Sequence, residues 1–241
     1  MDIQLDEGYM YGMGLFETIA IYQGKCVLLN MHLERLNKGL RALNIPKQIY
    51  KEQIALYLQT ADSSHDVLKI MVSEKNTIFS TRKNLYTKKN RQNGWILGFS
   101  SIRRNTTSPF TYFKSFHYGD SLLEKRQADK NGWDEPAFLN ERGEVCEGAT
   151  TNLFFVQNQT IYTPPVSCGL LNGILRQYIM QTYPVIEKII LPEEIGNYTE
   201  IFATNSLIGV MPVRKFGSYQ AELFPLADQI QACYEANRIN L

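Results

Sequence analysis

Between Pro136 and Thr163 the chain alternates short apolar runs with turn-forming residues, and this pattern constrains the fold more than any other. Runs of this length are typical of β-strands and too short for ordinary helices. The turns fall at residues 141–143 (Glu-Arg-Gly) and 157–159 (Gln-Asn-Gln). The pattern predicts four strands, at Pro136–Leu139, Val145–Glu147, Leu153–Val156 and Thr160–Thr163.

Helical patterns are interspersed with further strand patterns over the rest of the chain. Leucines at positions 33, 36, 40 and 43 recur at helical spacing before Pro46, and Asn30, followed by Glu34, is placed as the N-cap. Further helices are predicted at Gln48–Thr60, at Ser121–Lys130, from Gly173-Ile174 onward and at Pro225–Asn237. Further strands are predicted at Thr18–Tyr22, Cys26–Leu29, Val67–Ser73, Trp95–Phe99, Val185–Leu191 and Ile201–Val213, the first two joined by a turn at Gln23-Gly24. Because strands and helices mix without the regular alternation of a doubly wound sheet, the predicted class is α+β.

The polar segment Ser100–Ser108, rich in Arg, Asn, Thr and Ser, leads to Pro109 and is interpreted as a linker. This interpretation divides the chain into a small N-terminal subdomain (1–100), a linker (101–113) and a larger C-terminal subdomain (114–241). The functional site is expected between the two subdomains.

Composition excludes several classes of function. The formal net charge is +1 over 241 residues, so no overall field favours nucleic acid or an anionic membrane. The four cysteines are far apart and form no Cys-x-x-Cys pair, so neither a metal site nor a disulfide framework is expected. The first residues lack the pattern of a secretory signal, and no apolar run is long enough to cross a bilayer. We therefore expect a cytoplasmic protein whose partner is a small molecule and not nucleic acid or a membrane.

Lys114 is the candidate nucleophile. It follows the linker in an aromatic context, Tyr112-Phe113-Lys114-Ser115-Phe116-His117-Tyr118. Aromatic neighbours that remove water from an amine lower its pKa, and an amine must be neutral to attack an aldehyde. Considered alone, Lys114 is also explained as an ordinary solvated lysine with no catalytic role.

Glu147 is the candidate acid. The small and polar residues that follow it, Gly148-Ala149-Thr150-Thr151-Asn152, indicate backbone packed close to a ligand. A helix cap or a surface charge is the alternative.

Three further segments offer groups for an anion. The turn before Ile174 leads into a helix, whose first amides and dipole attract negative charge. Thr204 and Asn205 offer a hydroxyl, an amide and backbone donors between two apolar runs. Arg35, on the first long helix, adds a guanidinium. Each segment has an alternative role as a cap, turn or surface residue, and only their combination favours a phosphate site.

That combination resembles the class IV (fold-type IV) family of pyridoxal 5′-phosphate (PLP) dependent aminotransferases. The resemblance is carried by Glu147-x-Ala149-x-x-Asn152-Leu153-Phe154, by Ile161-Tyr162-Thr163, by Leu171-x-Gly173-Ile174-x-Arg176, and upstream by Gly12–Thr18 and His32–Leu36. It implies a two-subdomain enzyme with PLP between the subdomains, and a homodimer.

The resemblance also assigns roles to single residues. Lys114 matches the lysine that carries PLP as a Schiff base, and Glu147 matches the partner of the pyridine nitrogen. The phosphate positions correspond to Arg35, the backbone of Ile174 and Leu175, and the segment Thr204–Asn205. Tyr118 is placed like a tyrosine that hydrogen-bonds the phenolic oxygen of the cofactor.

Three activities share this scaffold: branched-chain aminotransferase, D-amino-acid aminotransferase and 4-amino-4-deoxychorismate lyase. Thr18 favours the lyase, because in the family a threonine there is thought to assist proton delivery beside the lysine, although threonine is also a common strand residue. The run from Lys114 to Glu124 and the segment Ser167–Ile174 are also similar to the lyases. Aminotransferase activity is the alternative, and a non-catalytic homologue is a remote one that intact Lys114, Glu147 and Arg35 disfavour.

Overall fold

The computed structural model describes residues 2–86, 91–238 and 240–241, which form two compact units. The first comprises Met1–Leu85, Phe113–Tyr118 and Ala236–Leu241, and the second comprises Tyr86–Tyr112 and Gly119–Glu235. These limits differ from the predicted subdomains, because the second unit begins before residue 100 and the segment that carries Lys114 belongs to the first unit.

A four-stranded antiparallel sheet forms the centre of the first unit, in the order β2-β1-β3-β4. Its strands are β1 (Gly14–Tyr22), β2 (Lys25–Cys26), β3 (Val67–Ser73) and β4 (Thr77–Arg82), and its helices are α1 (Glu7–Tyr11), α2 (Leu29–Ala42) and α3 (Lys51–Thr60). One face of the sheet packs on the apolar faces of α2 and α3, and the shared core includes Leu15, Ile19, Leu36, Leu40 and Ile70. The predicted hairpin turn is confirmed, since Gln23 and Gly24 both have positive φ, as its tight geometry requires.

The segment around Lys114 extends this sheet. The amide of Phe16 donates to the Lys114 carbonyl at 2.9 Å, and the amide of Phe116 donates to the Gly14 carbonyl at 2.9 Å. These bonds form an antiparallel bridge between Leu15 and Ser115. Backbone pairing with β1 therefore fixes the position of Lys114 and explains why its segment joins the first unit.

The second unit contains a closed β-barrel. Its strands are β5 (Trp95–Arg104), β6 (Glu135–Asn140), β7 (Val145–Gly148), β8 (Asn152–Gln157), β9 (Thr160–Thr163), β10 (Val185–Glu187), β11 (Glu200–Asn205), β12 (Gly209–Phe216) and β13 (Tyr219–Gln220). The order β8-β11-β12-β5-β6-β7 closes through an additional pairing of β7 with β8. The helices of this part are α4 (Gly119–Lys130), α5 (Ile174–Thr182) and α6 (Pro225–Asn237), with short 3₁₀ turns at Pro109–Tyr112, Val166–Cys168 and Pro192–Asn197.

A bulge in the barrel redirects the end of β7. Leu153 and Val145 belong to the main apolar core, which also includes Leu97, Ala203 and Phe216. The β6–β7 register shifts between the pairs Ala137↔Gly148 and Leu139↔Val145. Such a shift adds one residue to a strand and changes the face on which later side chains emerge. Glu147 therefore pairs with Asn152 instead of continuing the core-facing pattern of Val145.

Most predicted elements are confirmed, but several limits were wrong. Helix α2 begins at Leu29 and its N-cap is Leu28, whereas Asn30 lies inside the helix. The linker was predicted from Ser100, yet β5 continues to Arg104 because it pairs with β6 as far as Asn140. The run Ile201–Val213 is two strands, since the Asn205 side chain accepts the amides of residues 207 and 208 and closes a turn. The strand predicted at Val185–Leu191 ends at Glu187, and the one predicted at Cys26–Leu29 is only Lys25–Cys26. The elements α1, β4 and β13 were not predicted.

Within the described part of the chain, no helix combines the length and apolar character needed to span a membrane.

Candidate active site

In the first unit, the amine of Lys114 lies against aromatic rings. Its Nζ is 4.4 Å from the ring centroid of Phe16 and 5.9 Å from that of Tyr118. The two rings meet edge to face, with centroids 5.4 Å apart. The sequence predicted an aromatic environment for this half-buried lysine, and the structure provides it partly from β1, through Phe16.

Thr18 lies on the same face of β1 as Phe16, because side chains two residues apart in a strand point to the same side. Across the sheet Thr18 is directly opposite Lys69 of β3, whose Nζ is 5.1 Å from the Phe16 centroid. Burial, and then the charge of Arg82, lowers the pKa of Lys69. Thr18 therefore shares a sheet face with two amines, those of Lys69 and Lys114, grouped around one aromatic ring.

The opposite face of β1 carries a buried charge network that includes Arg35. The Glu17 carboxylate is 1% exposed and accepts hydrogen bonds from Arg35 Nε at 2.7 Å and Arg35 Nη2 at 2.8 Å. It also lies 2.7 Å from His32 Nδ1. Burial raises the pKa of the Glu17 carboxyl, but Arg35 and His32 together bring it down to about 2.

His32 is likewise buried, and burial lowers its pKa, as do the charges of Arg35 and Lys114, against the opposing effect of Glu17. Glu17 holds the guanidinium of Arg35 as a fork, which restricts its orientation.

In the second unit, Glu147 is held at both carboxylate oxygens. Oε2 accepts the backbone amide of Leu171 at 3.0 Å, and Oε1 lies 3.2 Å from Arg104 Nη2. Arg104 itself packs its guanidinium 3.8 Å from the ring centroid of Phe138 and donates to Ser121 Oγ at 2.9 Å. These two contacts therefore fix the orientation of the Glu147 carboxylate.

Glu147 begins a row of polar residues across three strands. It pairs with Asn152 of β8, which pairs with Thr204 of β11, and directly paired residues point to the same face of a sheet. The Asn152 amide donates to the Leu171 carbonyl at 2.8 Å. A Cβ at Gly173 would collide with Asn152 Oδ1, so the N-terminus of α5 approaches the row closely only because residue 173 is glycine.

This face offers donors for an anion. Gly173 is the N-cap of α5 and has no side chain, so the first-turn amides, including those of Ile174 and Leu175, are not capped by it. Thr204 is 1% exposed, and its hydroxyl has no hydrogen-bond partner among the described residues. A buried hydroxyl without a partner is costly unless a ligand completes it.

The Asn205 side chain has a different role. Its Nδ2 donates to the Thr150 carbonyl at 3.2 Å, and its Oδ1 accepts the amides of Leu207 and Ile208 at 2.8 and 2.9 Å. The side chain therefore shapes the turn after β11, and the predicted phosphate contact at this position stays a prediction.

Sequence reasoning missed the buried partners of the predicted residues. It did not assign Glu17 or His32, and it treated Arg104 as a linker residue. A signal exists for Glu17, because a carboxylate within an apolar strand must be paired. Arg104 gives no comparable signal, since only the fold brings it to Glu147.

The comparisons with known proteins agree with this arrangement. Residues 14–216 match the family described as "Amino-transferase class IV". The chain is 29% identical over 255 residues to an aminodeoxychorismate lyase of Bacillus subtilis, covering 90% of this chain and 84% of the relative. It is also 29% identical over 238 residues to a putative branched-chain-amino-acid aminotransferase of Methanocaldococcus jannaschii, covering 86% and 80%. The structure of a putative 4-amino-4-deoxychorismate lyase from Legionella pneumophila superposes with a TM-score of 0.88 at 26% identity, covering 98% of this chain and 96% of that one.

The residues present fit the cofactor of this family, PLP. The cofactor has an aldehyde, a pyridine nitrogen and a phosphate. The first unit contains an amine at Lys114, and the second contains an oriented carboxylate at Glu147 and, at Thr204, a buried hydroxyl with no hydrogen-bond partner among the described residues. The uncapped start of α5 adds backbone donors of the kind that bind phosphate.

Proposed function

The chain belongs to the class IV aminotransferase family, and from that premise we propose that it is a PLP-dependent lyase converting 4-amino-4-deoxychorismate to 4-aminobenzoate and pyruvate. One observation carries the choice of reaction: Thr18 shares a sheet face with Phe16, the ring over which the Lys114 amine lies. This places a hydroxyl that can transfer a proton on the face where the predicted base acts. The Bacillus and Legionella relatives, both named as lyases of this substrate, support the same choice.

Each group has a defined task in this proposal. When bound, PLP would supply an electron sink for the negative charge that develops on the substrate's amine-bearing ring carbon. Lys114 would hold the cofactor through Nζ, and its amine would take the proton from that ring carbon. Glu147 keeps the proton on the pyridine nitrogen. Arg35, Thr204 and the first amides of α5 hold the phosphate.

Thr18 acts on the departing group. When the ring loses its proton, the bond between the ring and the enolpyruvyl oxygen breaks, and the ring becomes aromatic. The enolpyruvate then gains a proton at its methylene carbon and becomes pyruvate. We assign delivery of that proton to the Thr18 hydroxyl, which the Lys114 amine can resupply.

Positive charge near Thr18 suits a substrate with two carboxylates. Lys69 is directly opposite Thr18, and Arg82 is close enough to lower its pKa. Among the ion pairs of the described residues, none involves Lys69. A half-buried ammonium without a carboxylate partner is an unfavourable arrangement that an acidic substrate relieves.

Transamination is the second candidate, and the Methanocaldococcus relative supports it at the same identity as the Bacillus lyase. It requires the same Lys114 and Glu147 but moves a proton at the α-carbon of an amino acid. The two reactions are separated by their products and by their substrates.

The deciding experiment follows pyruvate and 4-aminobenzoate released from 4-amino-4-deoxychorismate. We expect equal amounts of both from the wild type and neither from Lys114→Ala. Lys130→Ala is the matched control, because Lys130 is an exposed lysine at the end of α4. A PLP-loaded wild type that releases no pyruvate but converts D-alanine or branched-chain amino acids would replace the lyase with an aminotransferase. A wild type that binds no PLP would point to the non-catalytic homologue.

We also propose that the enzyme is a homodimer, as the family resemblance implies. Helix α1 supports this, because Tyr9, Met10 and Tyr11 are 74%, 48% and 64% exposed within five residues. Light scattering should give twice the chain mass of 27.7 kDa. A mass of one chain at micromolar concentration would contradict the proposal.

A further inference from the structure

Glu135 is the most thoroughly bonded carboxylate of the second unit outside the predicted cofactor contacts. It is completely buried at the start of β6. Its Oε2 lies 2.7 Å from Lys125 Nζ, and its Oε1 accepts the Thr150 amide at 2.6 Å, the Thr150 hydroxyl at 2.9 Å and the Thr151 hydroxyl at 3.1 Å. A buried charge with these donors is satisfied only while the Thr150–Thr151 backbone keeps its position.

These two threonines belong to the turn between β7 and β8. The turn, Gly148–Thr151, is closed by the Gly148 amide on the Thr151 carbonyl at 2.8 Å and anchored to β6 by the Ala149 amide on the Pro136 carbonyl at 3.1 Å. From the other side, Asn205 Nδ2 donates to the Thr150 carbonyl at 3.2 Å. A Cβ at Gly148 would lie 2.7 Å from Glu135 Oε1, so the carboxylate and the turn are packed without spare room.

Glu147 precedes this turn and Asn152 follows it. The two residues form the register pair that joins β7 to β8, and Asn152 pairs in turn with Thr204. The turn therefore determines where the predicted partner of the pyridine nitrogen lies relative to the predicted phosphate contacts.

We propose that Glu135 is a positioning residue, which holds Glu147 against the pyridine nitrogen of PLP by fixing the Gly148–Thr151 turn. Glu135 has no contact with the cofactor in this role and acts only through the turn. The inference rests on the cofactor site of the proposed function and is independent of the choice between lyase and aminotransferase.

Glu135→Gln tests it, because the amide keeps the shape but removes the charge and half of the acceptors. Glu147 holds a proton on the ring nitrogen, and that positive charge disfavours a second proton on the lysine nitrogen bonded to the cofactor. Displacing Glu147 should therefore raise the pH midpoint at which the visible absorbance of the bound cofactor titrates, by about one unit. We also expect the Kd for PLP to rise about tenfold, the effect of losing one charge-assisted hydrogen bond.

Glu200→Gln is the matched control. Glu200 is also a buried carboxylate of the second unit, but it accepts the amides of Leu226 and Ala227 at the start of α6. Both variants should lose stability, whereas only Glu135→Gln should change the absorbance titration and the affinity for PLP. If Glu135→Gln and Glu200→Gln lose the same stability and neither changes the absorbance titration, Glu135 has only a structural role.

Thr150→Val decides the question if Glu135→Gln does not fold. Valine keeps the size of threonine and removes one of the donors to Glu135. A smaller rise of the same midpoint supports the proposal, and an unchanged midpoint overturns it. A wild type that fails to bind PLP would instead refute the cofactor site itself, so the two failures are distinguishable.

Discussion

Replacing Glu17 with glutamine tests the buried network that holds Arg35. The carboxylate is 1% exposed and receives three short contacts, two from Arg35 and one from His32. Glutamine has nearly the same shape but no charge, and its amide would face donor groups. Breaking a buried pair by removing one partner costs about 3 to 5 kcal/mol. The Arg35 side chain keeps 17% exposure and can recover some hydration, so we expect about 3 kcal/mol.

The difference in the free energy of unfolding between wild type and Glu17→Gln should also depend on pH. The ordinary pKa of the carboxyl is 4.5, and in the folded protein it is lowered to about 2. A carboxyl with a lowered pKa stabilises the fold fully above its unfolded value, and this contribution is lost as pH falls toward the folded value. The stability difference between wild type and Glu17→Gln should therefore be constant above pH 4.5 and shrink between pH 4.5 and about 2.

Urea unfolding of both cofactor-free proteins at several pH values measures this difference. Asp228→Asn is a suitable control, because Asp228 also pairs with an arginine, Arg91 at 2.6 Å, but its side chain is 59% exposed. We expect its effect to stay below about 1 kcal/mol. A Glu17→Gln effect equally small, or one that does not change with pH, would refute the argument that burial makes this network strong.

Three further substitutions test the Lys114 segment, the start of the first unit and the predicted phosphate site. Gly14→Ala should lower the occupancy of PLP, because a Cβ there would collide with the Phe116 ring and push away the segment that carries Lys114; absorbance of the purified protein measures it. Asp6→Asn should destabilise the fold by about 2 kcal/mol at pH 7, since Asp6 accepts hydrogen bonds from Tyr9, Ser73 and Lys75, and urea unfolding measures it. That loss should disappear as pH falls from 3.8 toward 2, because burial raises the Asp6 pKa but these bonds bring it down to about 2. Gly173→Ala should weaken phosphate binding about tenfold by displacing Asn152, with little change in thermal stability; PLP titration checks this, and an unchanged Kd would contradict the predicted phosphate site.

Local patterns predicted the elements well where neighbours along the chain decide the structure. Leucine spacing located α2, and Gln23-Gly24 located the hairpin turn between β1 and β2. The same reasoning placed a linker at Ser100–Arg104, because polar residues there look solvated. The segment is a barrel strand, and its polarity has a cause that the sequence does not display: Arg104 reaches Glu147 and Phe138.

For the candidate site too, local features could be predicted from the sequence and long-range contacts could not. Residue types and the family resemblance were enough to propose Lys114, Glu147 and Thr204 as site residues without any fold, and their roles stay predictions. Glu135 and Glu17 were missed, because each acts on a residue distant in sequence, through strand register or helix packing. The contacts of Glu135 and Glu17 depend on which distant segments pair in the fold, and a single sequence does not specify that pairing directly.

Closure of the barrel has a consequence for how the protein folds. The strands β7 and β8 share a single register pair, Glu147 with Asn152, whereas β8 and β11 share five. The seam that completes the barrel is therefore its shortest ladder, and Glu147 of that pair belongs to the predicted cofactor site. A ligand that binds only the closed form stabilises it by RT ln(1 + [L]/Kd), where [L] is the free ligand concentration. We therefore expect bound PLP to stabilise the closed barrel, and the cofactor-free protein to open first where β7 meets β8.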